Sequence, residues 1–143
     1  KSILRLIAEY NPFLLDVEFN TIQKDKKLAV YLKKSKCKLL ISWHDFKKTP
    51  NESQLKSRFN KMRKFSNVVK IVTVAKNVSD ASRLLTLYSI KSKNKTVAFC
   101  MGDQGKFSRI LCLHLGSPFT YVSLGKAIAP GQFSVDEIKS LQN

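Results

Sequence analysis

Short apolar runs alternate with longer amphipathic stretches along the chain, with a spacing of about 25 residues, and this pattern predicts alternating strands and helices. We predict strands at residues 13–19, 38–43, 68–74, 95–101 and 119–124. We predict helices at residues 2–10, 24–34, 51–64, 79–91 and 106–115, and a last helix that opens at residue 134. The runs are apolar over nearly their whole length, as parallel strands covered on both faces are.

Capping residues mark the starts of three of these helices. Thr49 followed by Glu52 fits a capping box, in which the Thr49 side chain binds a backbone amide and Glu52 reaches back to the cap. Ser134 and Glu137 form a second capping box and open the last helix. Ser79 is the predicted cap of the helix at residues 79–91.

Repeated βα units predict an α/β fold, which is either a doubly wound sheet or a (β/α)8 TIM barrel. A Gly-rich phosphate loop follows none of the predicted strands, which argues against a nucleotide-binding doubly wound sheet. Polar residues recur towards the strand ends, as at Glu18, His44 and Lys70, and this favours a barrel. Since a closed barrel has eight strands and five βα units are predicted, we interpret residues 1–143 as one domain, the C-terminal part of a barrel.

Composition narrows the functional classes. The net charge of +16 indicates an anionic partner, which is a nucleic acid, a membrane surface or a small acid. The basic residues are spread along the predicted helices, and no zinc-finger or RNA-binding aromatic motif is present. We therefore expect a solvated basic surface without a nucleic-acid or membrane partner, although charge alone leaves nucleic-acid binding as an alternative. No signal peptide is recognised, and three cysteines without a zinc spacing indicate buried, reduced thiols in the cytoplasm.

Lys70 lies inside the apolar strand VVKIVTV, and His44 ends the preceding strand. Burial favours the neutral form of a lysine, and a neutral amine attacks carbonyl groups to form a Schiff base. An imine acidifies the neighbouring carbon, and an imidazole can move the proton that leaves it. The alternative is a lysine near the strand edge whose ammonium reaches water, together with a structural histidine.

Two loops after the last predicted strands supply further candidates. MGDQGKFSR leads into a helix that carries Arg109, whose guanidinium can clamp a carboxylate in bidentate fashion. APGQFSVDE carries Gln132, whose amide can bind a hydroxyl or a carboxylate. The alternatives are a solvent-facing arginine and an ordinary polar loop residue.

In this order, the motifs SWHDFKKTP, VVKI, MGDQGKFSR and APGQFSVDE resemble the type I 3-dehydroquinate dehydratase family, and FLLDVEF resembles its fourth strand. The resemblance covers the whole chain and implies strands four to eight of a (β/α)8 barrel. It also implies a cytoplasmic lyase of the shikimate pathway of aromatic amino acid biosynthesis, which converts 3-dehydroquinate to 3-dehydroshikimate. A homodimer that uses no metal and no cofactor is implied as well.

The same resemblance assigns a role to each candidate. Lys70 matches the Schiff-base lysine, and His44 matches the general acid and base. Arg109 matches the arginine that binds the substrate carboxylate, and Gln132 matches the glutamine of the closing loop. The resemblance places two further residues in the lining of the pocket, Met101 and Tyr121.

The chain departs from the family at two points. Ile128 stands where many members carry a serine, so that one hydrogen bond to the substrate is absent or comes from Ser123 or another group. The first three strands, which in the family carry substrate-binding Arg and Glu residues, have no match. We therefore keep two alternatives: a truncated or degenerate dehydratase without turnover, and another Schiff-base lyase such as a class I aldolase.

Overall fold

The computed structural model describes residues 3–141, within which four parallel strands and seven α-helices are found. The strands are β1 (Leu15–Glu18), β2 (Leu39–Asp45), β3 (Val68–Val74) and β4 (Lys95–Met101). The α-helices are α1 (Ile3–Glu9), α2 (Phe19–Lys24), α3 (Lys26–Lys34), α4 (Glu52–Met62), α5 (Val78–Leu85), α6 (Ser108–His114) and α7 (Val135–Ser140). Short 3₁₀ helices span Thr86–Ser89 and Asp103–Gly105. Residue 2, where we predicted the first helix to begin, lies outside the described residues.

The sheet has the order β1-β2-β3-β4, so each strand pairs with its neighbours in sequence, and all pairs are parallel. The register aligns Glu18 with Ser42, Ser42 with Lys70, and Lys70 with Val97. Because side chains alternate along a strand, aligned residues share a face of the sheet. We call this face the site face, and its members include Asp16, Glu18, Ser42, His44, Lys70, Val72, Val97, Phe99 and Met101.

The opposite face, the helix face, carries the larger hydrophobic core. Every strand contributes buried apolar residues to it, for example Val17, Ile41, Ile71 and Ala98, and each of these is at most 1% exposed. The helices cover them with large side chains that include Phe19, Leu32, Leu55, Phe59 and Leu84. Burial of one such side chain contributes roughly 1.5–3 kcal/mol, so this face holds the sheet and its helices together.

A second, smaller cluster lies at the β3–β4 end of the sheet. Site-face residues Val72, Val97, Phe99 and Met101 pack there with buried apolar side chains from α5 and α6. The site face is thus apolar on β4, whereas it carries carboxylates on β1. The candidate residues therefore lie between a polar side of the site face, on β1, and an apolar side, on β4.

The predicted strand at residues 119–124 is wrong. Ser123 forms only an isolated bridge with Ser134, and β4 pairs with β3 alone among the described strands. The segment is instead held by local hydrogen bonds, since the Ser117 hydroxyl donates to the Phe119 carbonyl and the Ser123 hydroxyl donates to the Gly125 carbonyl. Four of the five predicted strands are therefore found.

The predicted helix at residues 24–34 begins two residues later than expected, at Lys26, and a separate helix, α2, comes before it. Asp25 ends α2, and its carboxylate accepts a hydrogen bond from the Leu28 amide at the start of α3. A side chain that satisfies a free helix amide favours a new helix start over a continuous helix.

Two of the predicted caps are displaced by two residues. α4 is capped by Asn51 and Gln54, because the Thr49 hydroxyl is turned inwards and donates to the Val74 carbonyl at 2.9 Å. α5 is capped by Asn77 rather than Ser79, since the Asn77 side chain accepts from the Asp80 amide. The capping box that opens α7 is confirmed.

Candidate functional site

Lys70 is buried at the centre of the site face. Its side chain is 8% exposed, and its Nζ lies 2.5 Å from Oδ2 of Asp16 on β1. The Nζ also donates to the Tyr121 hydroxyl at 3.4 Å and lies 4.6 Å from the centroid of the Tyr121 ring. The ammonium of Lys70 therefore does not reach solvent freely, which excludes the interpretation as an edge lysine.

His44 lies two residues beyond Ser42 on the same face of β2, towards the carboxyl end of the strands. Its Nδ1 is 2.9 Å from Oε2 of Glu18, and that same oxygen accepts a hydrogen bond from the Ser42 hydroxyl at 3.2 Å. Because a carboxylate accepts and does not donate, Nδ1 carries the hydrogen and Nε2 keeps its lone pair in the neutral ring. Phe46 stacks on the imidazole at 5.7 Å and further fixes its plane.

Arg109 lies on α6 and is 2% exposed. Its Cζ lies 4.5 Å from the centroid of the Phe99 ring, and Nη2 donates to the Pro130 carbonyl at 3.4 Å. Within the described residues, Arg109 forms no ion pair, and its buried Nε has no hydrogen-bond partner. Burial lowers the pKa of the guanidinium because desolvation penalises its charge. An uncompensated buried cation of this kind is poised to bind an anion.

Two neighbouring aromatic rings lie between Arg109 and Lys70. The ring of Phe99, which contacts Arg109, lies 5.9 Å from the ring of Tyr121, whose hydroxyl contacts Lys70. Met101 follows Phe99 on the site face of β4 and is 7% exposed. Met101 and Tyr121 are thus both neighbours of Phe99, and their role in lining a pocket stays a prediction.

The loop at residues 127–133 is seated on the loop after β4. Gly131 has φ +69°, and a Cβ placed there would lie 2.5 Å from the Gly102 carbonyl oxygen, so that only glycine fits. The Gly102 amide donates in turn to the Pro130 carbonyl at 3.1 Å. The adjacent Gln132 is 8% exposed, and its side-chain oxygen accepts from the Ile128 amide. The structure therefore holds Gln132 within its own loop.

The side chain of Ile128, at the position of the family serine, faces solvent, and the residue is 89% exposed. Ser123 does not replace that serine in this arrangement, because its hydroxyl donates to the Gly125 carbonyl at 2.9 Å and has the Phe133 carbonyl as a second acceptor at 3.4 Å.

Sequence reasoning did not assign roles to Asp16 and Glu18. The signal was present, since two acids separated by one residue in a strand point to the same face. Which side chains they would meet was not readable, because Asp16 reaches Lys70 across the intervening β2 and this pairing depends on the register of three strands.

Two cavities of about 580 Å³ each lie away from these side chains. One is lined by residues of α2 and α4, and the other opens near the start of β2, β3 and β4. Neither is lined by Lys70, His44 or Arg109. We therefore identify the candidate site by the charged side chains that come together there, and not by the size of a cavity. No set of three or more His, Cys, Asp and Glu side chains in residues 3–141 is arranged to hold a metal ion. None of the described helices is both long and apolar enough to cross a membrane.

Comparison with known proteins identifies a family for the whole chain. The family model of type I 3-dehydroquinase matches residues 1–143. A 3-dehydroquinate dehydratase of Pyrobaculum aerophilum is 41% identical over 136 residues, which are 95% of this chain and 44% of the relative. The corresponding protein of Pyrococcus abyssi is 36% identical over 92% of this chain and 60% of its own length. The chain thus spans about half the length of these two relatives.

Solved structures agree with the sequence comparison. A type I 3-dehydroquinate dehydratase of Clostridium difficile with covalently modified comenic acid has a TM-score of 0.84 and 26% identity, over 98% of this chain and 58% of the other. The 3-dehydroquinate dehydratase of Aquifex aeolicus has a TM-score of 0.81 and 29% identity, over 98% of this chain and 63% of the other. The four parallel strands are therefore part of a TIM-barrel fold, and the chain belongs to the type I 3-dehydroquinase family.

Proposed function

We propose that this protein is a lyase that dehydrates 3-dehydroquinate to 3-dehydroshikimate in the shikimate pathway, through a Schiff base on Lys70. The observation that carries the proposal is the shielded amine of Lys70, whose side chain is 8% exposed on the site face. A nucleophilic lysine has to be kept out of bulk water so that its amine can lose its proton. Family membership and the covalent ligand of the Clostridium difficile relative support the same chemistry.

In the proposed reaction, Nζ of Lys70 attacks the C3 ketone and water is lost to give an iminium ion. The iminium withdraws electrons from C2, and Nε2 of His44 takes a proton from that carbon. The electron pair left at C2 expels the C1 hydroxyl, to which the imidazolium returns the proton, so that water leaves. Hydrolysis of the imine releases the product and restores the amine.

Two further side chains position the substrate in this proposal. Arg109 binds the substrate carboxylate, which supplies the missing partner of the buried guanidinium. Gln132 hydrogen-bonds a substrate oxygen once its loop has closed, whereas Met101 and Tyr121 contact the carbon ring. We also propose a cytoplasmic homodimer, and three buried free cysteines support a reducing compartment. Light scattering of the native protein is expected to give twice the subunit mass.

Borohydride trapping tests the proposal. The native protein is incubated with 3-dehydroquinate, reduced and digested, and the peptide masses are measured. We expect a stable adduct on the peptide that contains Lys70, and no adduct in Lys70→Ala. The absence of an adduct in folded native protein would contradict the proposal and favour a member without turnover.

His44→Ala is expected to separate the two stages of the reaction. The imine should still form, because Lys70 keeps its own contacts, but proton removal from C2 should slow by about 100-fold or more. The adduct yield after borohydride and the rate of product formation are measured on the same sample. Near-normal turnover in this variant would remove His44 from the mechanism.

A further inference from the structure

A cavity of about 580 Å³ lies between α2 and α4, beside the carboxyl end of β2. Its lining comes entirely from residues 19–61, which run from α2 through β2 to α4 without a gap in the structure. Trp43 lines the cavity and follows Ser42 of the site face, so its side chain lies on the opposite side of the sheet from Lys70. The cavity is therefore separate from the candidate active site.

Arg58 of α4 is anchored in this cavity by an aromatic ring. Its Cζ lies 4.0 Å from the centroid of the Trp43 ring, and Trp43 is 7% exposed. Stacking of this kind uses the face of the guanidinium and leaves the N–H donors at its edge free. Arg58 forms no ion pair within residues 3–141, so these donors have no carboxylate to bind. The fold thus holds the cation in place without balancing its charge.

Two further cations line the same cavity. Lys61 follows Arg58 by three residues and so lies on the same face of α4, and Lys48 comes from the loop before this helix. Neither lysine forms an ion pair within residues 3–141. The one acid in the lining is Asp45, whose Oδ1 accepts from the amides of Lys47 and Lys48 at 2.9 and 3.1 Å. The cavity therefore carries an excess of positive charge.

We propose that this cavity binds a small molecule through its phosphate group, with Arg58, Lys48 and Lys61 as the charged partners of the phosphate. An arginine edge pairs with two phosphate oxygens at once, and lysines add point charges. Ser53 and Ser57 also line the cavity and bring two hydroxyl donors. This site goes beyond the proposed dehydration and does not depend on it.

Charge and size favour a phosphate ester as the ligand. A phosphate group near neutral pH carries close to two negative charges, whereas a carboxylate carries one, and the lining holds three cations against one acid. A volume of about 580 Å³ is typical of sites that hold a whole small molecule, so there is room for more than the phosphate group.

Equilibrium dialysis of the intact native protein tests the proposal, with labelled inorganic phosphate and labelled glucose 6-phosphate as probes and glucose as the neutral control. Ionic strength is held constant, because salt screens exposed charges. We expect saturable binding of one phosphate compound per chain and no binding of glucose. Tighter binding of the ester assigns the site to phosphate esters, and equal binding assigns it to free phosphate.

Substitutions locate the site. Arg58→Met should weaken binding by about 10- to 100-fold, because a charged contact is lost, and Arg58→Lys should recover part of this loss. The matched control is Arg63→Met, which makes the same change at the end of α4, outside the cavity lining, and should bind as the native protein does. Lys61→Gln, at an exposed position, should weaken binding by about 10-fold and serves if Arg58→Met fails to fold.

Arg109→Met separates this site from the candidate active site, because it removes the buried cation there and should leave phosphate binding unchanged. Trp43 is the one tryptophan of the chain, so its fluorescence should also change with the same midpoint as the dialysis curve. The proposal would be overturned by a lack of saturable binding to the native protein, or by loss of binding in Arg109→Met. Equal weakening in Arg58→Met and Arg63→Met would overturn it as well, since binding would then reflect the overall charge.

Discussion

Arg109 and Lys70 are both buried cations, but only Lys70 has a carboxylate partner among the described residues. The Lys70 ammonium is balanced by Asp16, so its burial is compensated within the fold. The Arg109 guanidinium has a carbonyl and an aromatic ring as neighbours, and its Nε has no partner. A buried cation that lacks a carboxylate partner is more readily explained by binding than by folding.

Arg109→Met is therefore expected to separate stability from activity. It removes the desolvated charge, so the free energy of unfolding should stay the same or rise by up to about 1 kcal/mol. The kcat/KM for 3-dehydroquinate should fall by about 100-fold, chiefly through KM, because a charged contact to the carboxylate is lost.

The same substitution at Arg83 is the matched control, since Arg83 is paired with Asp80 at 2.9 Å. Arg83→Met should lower stability slightly and leave kcat/KM near the native value. Urea unfolding and steady-state kinetics check both variants. A large loss of stability in Arg109→Met, with unchanged KM, would contradict the binding role.

Single residues of the site could be predicted from sequence where their chemistry is unusual for their surroundings. A lysine in VVKIVTV and a histidine after an apolar strand are such cases, and the structure places both on one face of the sheet. Asp16 and Glu18 could not be assigned in this way, because acids are common at exposed strand positions. Only the register across β1, β2 and β3 shows which cation each of them meets.

At the scale of the element, β3 and β4 begin and end where predicted, and a polar residue, Asn67 or Asn94, comes directly before each run. The segment at residues 119–124 has a similar apolar pattern but forms no strand. A strand also needs a neighbour that accepts its hydrogen bonds, and that neighbour is not encoded in the local pattern. The hydrophobic pattern therefore predicts which segments can form strands, whereas pairing decides which of them do.

The loop between β2 and α4 is anchored by a buried polar contact that the capping prediction missed. The Thr49 hydroxyl lies 2.7 Å from that of Thr73 and donates to the Val74 carbonyl. Thr49→Val keeps the shape but removes the hydroxyl from both contacts, so we expect a loss of about 1–3 kcal/mol of unfolding free energy. Thr49→Ser keeps the hydroxyl and should lose less.

Denaturant unfolding measures the unfolding free energy of both variants. Asn51→Ala, which removes the N-cap of α4, is measured in the same way for comparison. Loss of that cap should cost about 1 kcal/mol. If Thr49→Ser were as unstable as Thr49→Val, the methyl group and not the hydroxyl would be the important contact.

At the scale of the whole molecule, the order of the sheet follows from the repeated βα units, so the general architecture could be predicted from the chain alone. The distribution of polarity could not. The helix face carries buried apolar side chains on every strand, whereas the site face runs from carboxylates on β1 to aromatic and sulphur side chains on β4. This difference arises only when the strands are brought into register.

Because of its buried thiols, we expect the unfolding free energy of the protein to depend on pH in the alkaline range. Burial raises the pKa of Cys100 and of Cys112 above the usual value of 9.0. A raised pKa stabilises the fold fully below the unfolded pKa, and this contribution is lost as the pH rises towards the folded pKa. We therefore expect the unfolding free energy to fall above about pH 9, by up to about 1.4 kcal/mol per pH unit for each thiol.

Urea unfolding between pH 7 and pH 10 under reducing conditions measures this slope. Cys112→Ala removes one of the groups and should make the slope shallower, whatever its effect on stability at pH 7. An unchanged slope in Cys112→Ala would show that the Cys112 thiol does not contribute to it.

The unpaired guanidinium of Arg109 also has a thermodynamic consequence. An anion that binds beside the guanidinium neutralises a charge that is buried in a medium of low dielectric constant. Because only the folded protein offers this site, anion binding stabilises the folded state. Small carboxylic acids should then act as stabilisers of the native state, with a gain of about 2.7 kcal/mol at a ligand concentration of 100 Kd. The melting temperature measured with each candidate acid would thus rank the acids as ligands before any turnover is assayed. By the same linkage, substrate present in the cell would help to keep the protein folded.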